Sequence, residues 1–65
     1  MKIVYNGTEV ETSARRLAEF LSEKGVNAAS ALVDVDGTVA VGTALAQQPL
    51  HEGAQVEVFR LVSGG

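Results

Sequence analysis

Ile3-Val4-Tyr5-Asn6-Gly7-Thr8-Glu9-Val10-Glu11 opens the chain and decides its fold. Two β-branched residues and an aromatic run into Asn-Gly, and an alternating segment returns from it. Asn and Gly both tolerate the positive φ of a type I′ turn, so the stretch predicts a tight hairpin of two strands. The same logic applies at Asp36-Gly37. There the turn joins a third strand, Ala31 to Val35, to a short fourth one, Thr38 to Val41, which Gly42 breaks. Residues 55–62 alternate cleanly and predict the last strand.

Between the hairpins the period changes from two to about 3.6. Ala14, Leu17, Ala18, Phe20 and Leu21 recur on one face, with Thr12 or Ser13 as the N-cap and Gly25 as the stop. Lys24 suits the helix dipole, whereas Arg15 and Arg16 in the first turn oppose it by ~0.3 kcal/mol each. Arg15 stands four residues before Glu19 and can pair with it on a solvated face. Residues 43–48 predict a single helical turn capped by Thr43, ended before Pro49. The expected architecture is α+β. A mixed sheet of four to five strands packs on one helix, with a short second helix and the first and last strands parallel.

The totals exclude several functions. The 65 residues allow one small domain, and a domain of that size buries only ~60% of its unfolded surface. With no cysteine there is no disulfide, thiolate–metal site or thiol nucleophile. The net charge of -3 speaks against nucleic acid and against an anionic membrane surface. Met1-Lys2-Ile3-Val4-Tyr5 shows no signal peptide, and no apolar run is long enough to span a bilayer. A soluble cytoplasmic protein is expected. The lone His51, beside a turn glycine, makes neither a triad nor a metal site and reads as a solvated loop residue. Asp34 and Asp36 offer too few oxygens for a Ca²⁺ site, so no metal is expected.

The chain ends Leu61-Val62-Ser63-Gly64-Gly65. Such an end can simply fray. It can also serve chemistry, because glycines have no Cβ and thread a narrow channel. A carboxylate is a poor acyl donor until ATP adenylates it. Nothing in this chain does that, since it has one histidine, no cysteine and no phosphate-binding loop. On the second reading the chain is a carrier and a substrate, not an enzyme, and binds no cofactor itself.

The arrangement resembles the β-grasp, or ubiquitin-like, fold. Within that fold the chain resembles the ThiS family of sulfur carriers for thiazole biosynthesis, over nearly its whole length. Met1-Lys2-Ile3-Val4-Tyr5-Asn6-Gly7 is similar to the family's start, and Thr12-Ser13-Ala14 leading to Leu17 and Leu21 to its helix. Val35-Asp36-Gly37-Thr38-Val39 is similar to its second hairpin, with Asp36 and Thr38 replacing Asn and Glu. Pro49-Leu50-His51-Glu52-Gly53 and Val56-Glu57-Val58 follow its turn and last strand, and Ser63-Gly64-Gly65 its terminus. The chain departs at Val39-Ala40-Val41-Gly42, where the family often has Val-Pro-Arg. It departs again near Leu45, where an aromatic is usual, and at Ala54, where the turn has an Asp.

The resemblance implies a division into a β-grasp domain, residues 1–62, and a flexible tail, residues 63–65. It implies that a ubiquitin-activating-like enzyme (ThiF type) uses ATP to adenylate the Gly65 carboxylate, with Gly64 and Ser63 as the tail that reaches it. Sulfur from a cysteine desulfurase then makes a thiocarboxylate, which thiazole synthase (ThiG type) consumes. Neighbouring readings are a molybdopterin-synthase small subunit, a carrier for cysteine or siderophore assembly, a conjugated modifier, and a plain interaction module.

Strand parity suggests where partners dock. With Val56 and Val58 facing the helix, Glu57, Phe59 and Leu61 face the opposite side, joined by Val4 and Leu32 if their parity agrees. Arg60 adds a rim charge. Exposed apolar side chains on a sheet face mark an interface. The ubiquitin-like resemblance implies that this position docks the activating enzyme. The alternative is that Phe59 lies under the 43–48 turn as peripheral core.

Overall fold

Both hairpin turns adopt the geometry their residues permit. In the computed structural model, which describes residues 1–27, 31–41 and 43–60, φ is 49° at Asn6 and 84° at Gly7, then 53° at Asp36 and 91° at Gly37. Positive φ at both central residues matches the right-handed twist of the flanking strands. Strand β1 (Lys2–Tyr5) therefore pairs antiparallel with β2 (Thr8–Glu11), Tyr5 opposite Thr8. Strand β3 (Ala31–Val35) pairs likewise with β4 (Thr38–Val41), Val35 opposite Thr38.

The last strand, β5 (Gln55–Arg60), enters between the hairpins, giving a five-stranded sheet in the order β2-β1-β5-β3-β4. It runs parallel to β1 and antiparallel to β3. The β1–β5 pairing is short, Val4 with Gln55 and Tyr5 with Val56. Asn6 lengthens it by imitating a strand residue. Its N–H donates to the Val56 carbonyl at 2.9 Å, and its Oδ1 accepts the Val58 N–H at 2.9 Å. Beyond that level β5 pairs, among the described residues, with β3 alone, out to Arg60 opposite Ala31. This is the β-grasp arrangement.

Helix α1 (Leu17–Glu23) crosses one face of the sheet and is shorter than its periodicity predicts. It begins at Leu17, with Arg16 rather than Thr12 or Ser13 in the cap position. Glu19 replaces a hydroxyl cap, its Oε1 accepting the N–H groups of Arg15 and Arg16 at 3.2 Å. The expected Arg15–Glu19 pairing thus runs through the backbone. Thr12 is buried for a different purpose. Its Oγ1 accepts the Ala14 N–H at 3.0 Å and donates to Glu23 Oε1 at 2.8 Å, tying the entry loop to the far end of the helix. A seven-residue helix is not stable alone, so α1 exists because Leu17, Phe20 and Leu21 are fully buried against the sheet. Gly25, at φ 71°, ends it as expected.

Lys24 caps the helix and lays its ammonium 5.6 Å from the Phe20 ring and 5.8 Å from the Tyr5 ring. Those two rings meet edge to face at 5.0 Å. Helix α2 (Thr43–Gln47) is the expected single turn and buries Leu45. The capping assigned to the Thr43 side chain, and the break assigned to Gly42, lie outside the described residues. Ile3, Val33, Val35 and Val56 supply the sheet's side of the core, with Val58 half-buried at its margin.

Candidate functional site

Strand alternation sorts β5 as expected: Val56 is buried, Val58 half-buried, Glu57 and Phe59 exposed. Phe59 is 47% exposed, so it is not core beneath α2. Register then shows what shares its face. Leu32 stands opposite Phe59 on one side and opposite Val41 on the other, a continuous apolar row across β5, β3 and β4. The next row toward the start of β5 is Glu57, Asp34 and Val39. The one after it holds Gln55 and Val4, with Glu9 opposite Val4 on β2. Val4 and Leu32 thus have the expected parity, and both are half-buried.

Two residues were missing from the sequence reading. Val39 and Val41 are 54% and 50% exposed, and with Phe59 they put three large exposed apolar side chains on one sheet face. The signal was present. A two-residue turn at Asp36-Gly37 forces Thr38 opposite Val35, so Val41 must stand opposite Leu32. Ala40, between the two valines, is buried on the helix side. Arg60 stands opposite buried Ala31, which gives its Cα the helix-side parity rather than that of Phe59; its side chain is outside the described set. Leu61, Ser63, Gly64 and Gly65 also lie outside the described residues.

A groove of about 360 Å³ crosses this face, lined by Val4, Asp34, Asp36, Gln55 and Glu57 among others. Its carboxylates are not equivalent. Asp34 Oδ1 accepts the Gly37 N–H at 2.7 Å. Asp36 Oδ1 accepts the Gln55 N–H at 2.9 Å, and its Oδ2 is 2.6 Å from His51 Nε2. Glu57 has no hydrogen-bond or ion-pair partner among the described residues. No group of three potential metal-ligating side chains occurs among the described residues.

His51 lies in an exposed loop, as expected, and the structure adds two partners. It is exposed, but it is held rather than simply solvated. Nδ1 faces the Glu52 carbonyl at 2.9 Å while Nε2 faces Asp36. Both nitrogens meet acceptors, so the imidazolium is the form that satisfies the site. Accordingly the Asp36 hydrogen bond raises the His51 pKa above its ordinary value. The Gln55 N–H, followed by His51, lowers that of Asp36. The signs define a window. A raised histidine stabilises the fold at pH values below its unfolded pKa and loses that as pH rises; a lowered aspartate contributes only above its own unfolded value. The His51→Ala variant should therefore fall furthest below wild type in melting temperature near pH ~5–6. The difference should shrink as pH rises through the raised folded-state pKa of the histidine. The effect is small because the side chains are 63% and 41% exposed. A pH-independent difference would mean the pairing carries no stability.

Membrane insertion through a helix has no support, since no helix among the described residues is long and apolar enough to cross a bilayer. No curated protein matches the chain. Among solved structures, the crystal structure of the thiamine biosynthesis protein ThiS from Geobacter metallireducens is similar at 25% sequence identity. The superposition covers 100% of both chains with a TM-score of 0.82. The model of the ThiS family matches residues 3–65. That match takes in both hairpins, the α1 face, the apolar row and Gly64-Gly65, and on it the chain belongs to the ThiS family.

Proposed function

We propose that this protein is a sulfur carrier for thiamin thiazole formation, with the Gly65 carboxylate as its reactive group. The observation that carries the reading is the family match running through residue 65 on a β-grasp body. The likeness to a thiamine biosynthesis ThiS protein over the full length of both chains supports the pathway.

The chemistry follows from what a carboxylate lacks. Its leaving group would be oxide, so the Gly65 oxygen attacks the α-phosphorus of ATP on a ubiquitin-activating-like enzyme and pyrophosphate leaves. The terminal sulfur of a persulfide, supplied through a cysteine desulfurase, then attacks the acyl-adenylate carbon and AMP leaves. A second thiol of the partner cleaves the resulting S–S bond. It ends as the disulfide and reduces the carrier sulfur to a thiocarboxylate. Thiazole synthase takes that sulfur, and the Gly65 carboxylate is regenerated. Beyond the Gly65 carboxylate this chain supplies no thiol nucleophile, and its lack of cysteine means the activated carbonyl meets no internal thiol. It acts throughout as substrate, docked by its exposed sheet face.

The test is an intact mass after incubation with ATP, a persulfide source and the ubiquitin-activating-like enzyme of the same organism. The expected product is heavier by the replacement of one oxygen by sulfur. An unchanged mass under conditions where that enzyme thiocarboxylates its other carriers would reject the reading. Adducts on lysines of other proteins would make the chain a modifier instead.

A further inference from the structure

The sheet face opposite α1 is divided by chemistry along the strands, and the division has a direction. Its apolar row, Phe59–Leu32–Val41, lies at the end of β5 that leads to residues 61–65. Its carboxylates lie behind that row on β5 and β3, with exposed Val39 continuing the apolar edge beside them on β4. Glu57 and Asp34 face each other two residues back along β5, about 7 Å at the rise of an extended strand. The groove lined by Asp34, Asp36 and Glu57 begins there. Of these, Asp36 is taken up by His51, whereas Glu57 is exposed and has no partner among the described residues. Among the described residues no cation pairs with Glu57 or Asp34. The strand lysine or arginine with this parity is Lys2, opposite Glu11 at the far end of the sheet from Phe59.

We infer that the ubiquitin-activating-like enzyme covers this face with an apolar strip beside the cleft that receives residues 61–65. One or more arginine or lysine side chains, about 7 Å farther from that cleft, then enter the groove against Glu57 and Asp34. The inference rests on the carrier reading and specifies the chemistry of its partner. Each half has its own physical basis. Exposed aromatic and β-branched side chains gain by leaving water, and supply affinity that salt barely changes. Paired carboxylates facing a recess attract a guanidinium, which binds carboxylates through a planar fork of donors. That half steers approach and fixes which way round the carrier lands, since a reversed pose sets carboxylates on the apolar strip. Orientation matters here because only one pose aims the tail at the cleft.

The probe is the purified ubiquitin-activating-like enzyme of the same organism, titrated with full-length carrier at low and high NaCl. Glu57→Lys should weaken binding ~10-fold or more near 50 mM NaCl and ~3-fold or less near 500 mM, since screening shortens the Debye length. Glu57→Gln should lie between it and wild type. Phe59→Asp should weaken binding at both salt concentrations. Circular dichroism melts should match wild type for the Glu57 variants, because the residue is exposed and unpartnered. Glu57 variants that bind like wild type while Phe59→Asp does not would overturn the charged half and leave the carrier function standing. A Glu57→Lys loss that persists undiminished at high salt would also overturn it. If wild type itself neither binds nor stimulates ATP–pyrophosphate exchange, the carrier reading fails and takes this inference with it.

Discussion

Removing Gly65 is expected to eliminate the oxygen-to-sulfur mass shift while leaving the thermal melt of the domain unchanged. Among the described residues every buried core side chain lies between Ile3 and Val56. The proposed chemistry does need Gly65. Deletion leaves a carboxylate on Gly64, but withdraws it by about 3.5 Å, the length of one extended residue. A misplacement of ~1 Å at a reacting centre can cost ~10²-fold in rate, so a shift several times larger should take adenylation below detection. Lengthening the tail by one glycine should fail for the same reason in the opposite sense. Gly65→Ala keeps the reach but adds a Cβ where a narrow channel must close around the chain, and should retain a small fraction of activity. A truncated carrier that still gains sulfur would remove Gly65 from the mechanism and move the reactive group elsewhere.

The reach is set by the number of residues that follow β5. Residues 61–65, fully extended, span at most about 17 Å. A partner able to take Gly65 must therefore keep its reacting phosphate within that radius of the end of β5. Its body then rests against the apolar row. On the proposed function so short a reach links docking to chemistry, so a sheet-face substitution such as Phe59→Asp should reduce activation without touching the reacting atoms.

The hairpins were legible because their turns are governed locally. Asn6-Gly7 and Asp36-Gly37 take positive φ whatever surrounds them, and each turn sets a register. Parity along β5 then placed Phe59 correctly from alternation alone. The start of α1 was not legible. Thr12 and Ser13 have the chemistry of an N-cap, but Thr12 is drawn into a buried tie with Glu23, eleven residues away, and the helix starts at Leu17 instead. The His51–Asp36 pair was hidden for a similar reason. The residues are fifteen apart and meet because β5 returns beside the β3–β4 turn, where the Asp36 N–H donates to the Gln55 carbonyl at 2.9 Å. Local chemistry names candidates in both cases, and tertiary approach chooses among them.

Phe20→Ala is expected to unfold the domain or leave it without a cooperative transition. Phe20 is wholly inaccessible to solvent and is among the largest fully buried side chains. Truncating a buried phenylalanine costs about 3–5 kcal/mol through lost transfer energy and the cavity left behind. A domain of this size, at ~0.05–0.15 kcal/mol per residue, has only about 3–10 kcal/mol in total. The local situation makes relaxation difficult. Phe20 holds the Tyr5 ring edge to face and supports the Lys24 ammonium, so its removal withdraws contacts from β1 and from the helix end together. Helix α1 has seven residues and no hydroxyl N-cap, so it cannot persist without its buried face. Phe20→Leu retains most of the volume and should stay folded with a reduced urea midpoint. The check is a urea titration by circular dichroism with a ¹⁵N–¹H spectrum of each variant. A Phe20→Ala domain that keeps dispersed resonances within ~1 kcal/mol of wild-type stability would show that the sheet collapses onto α1 without it, against the packing cost expected of so small a core.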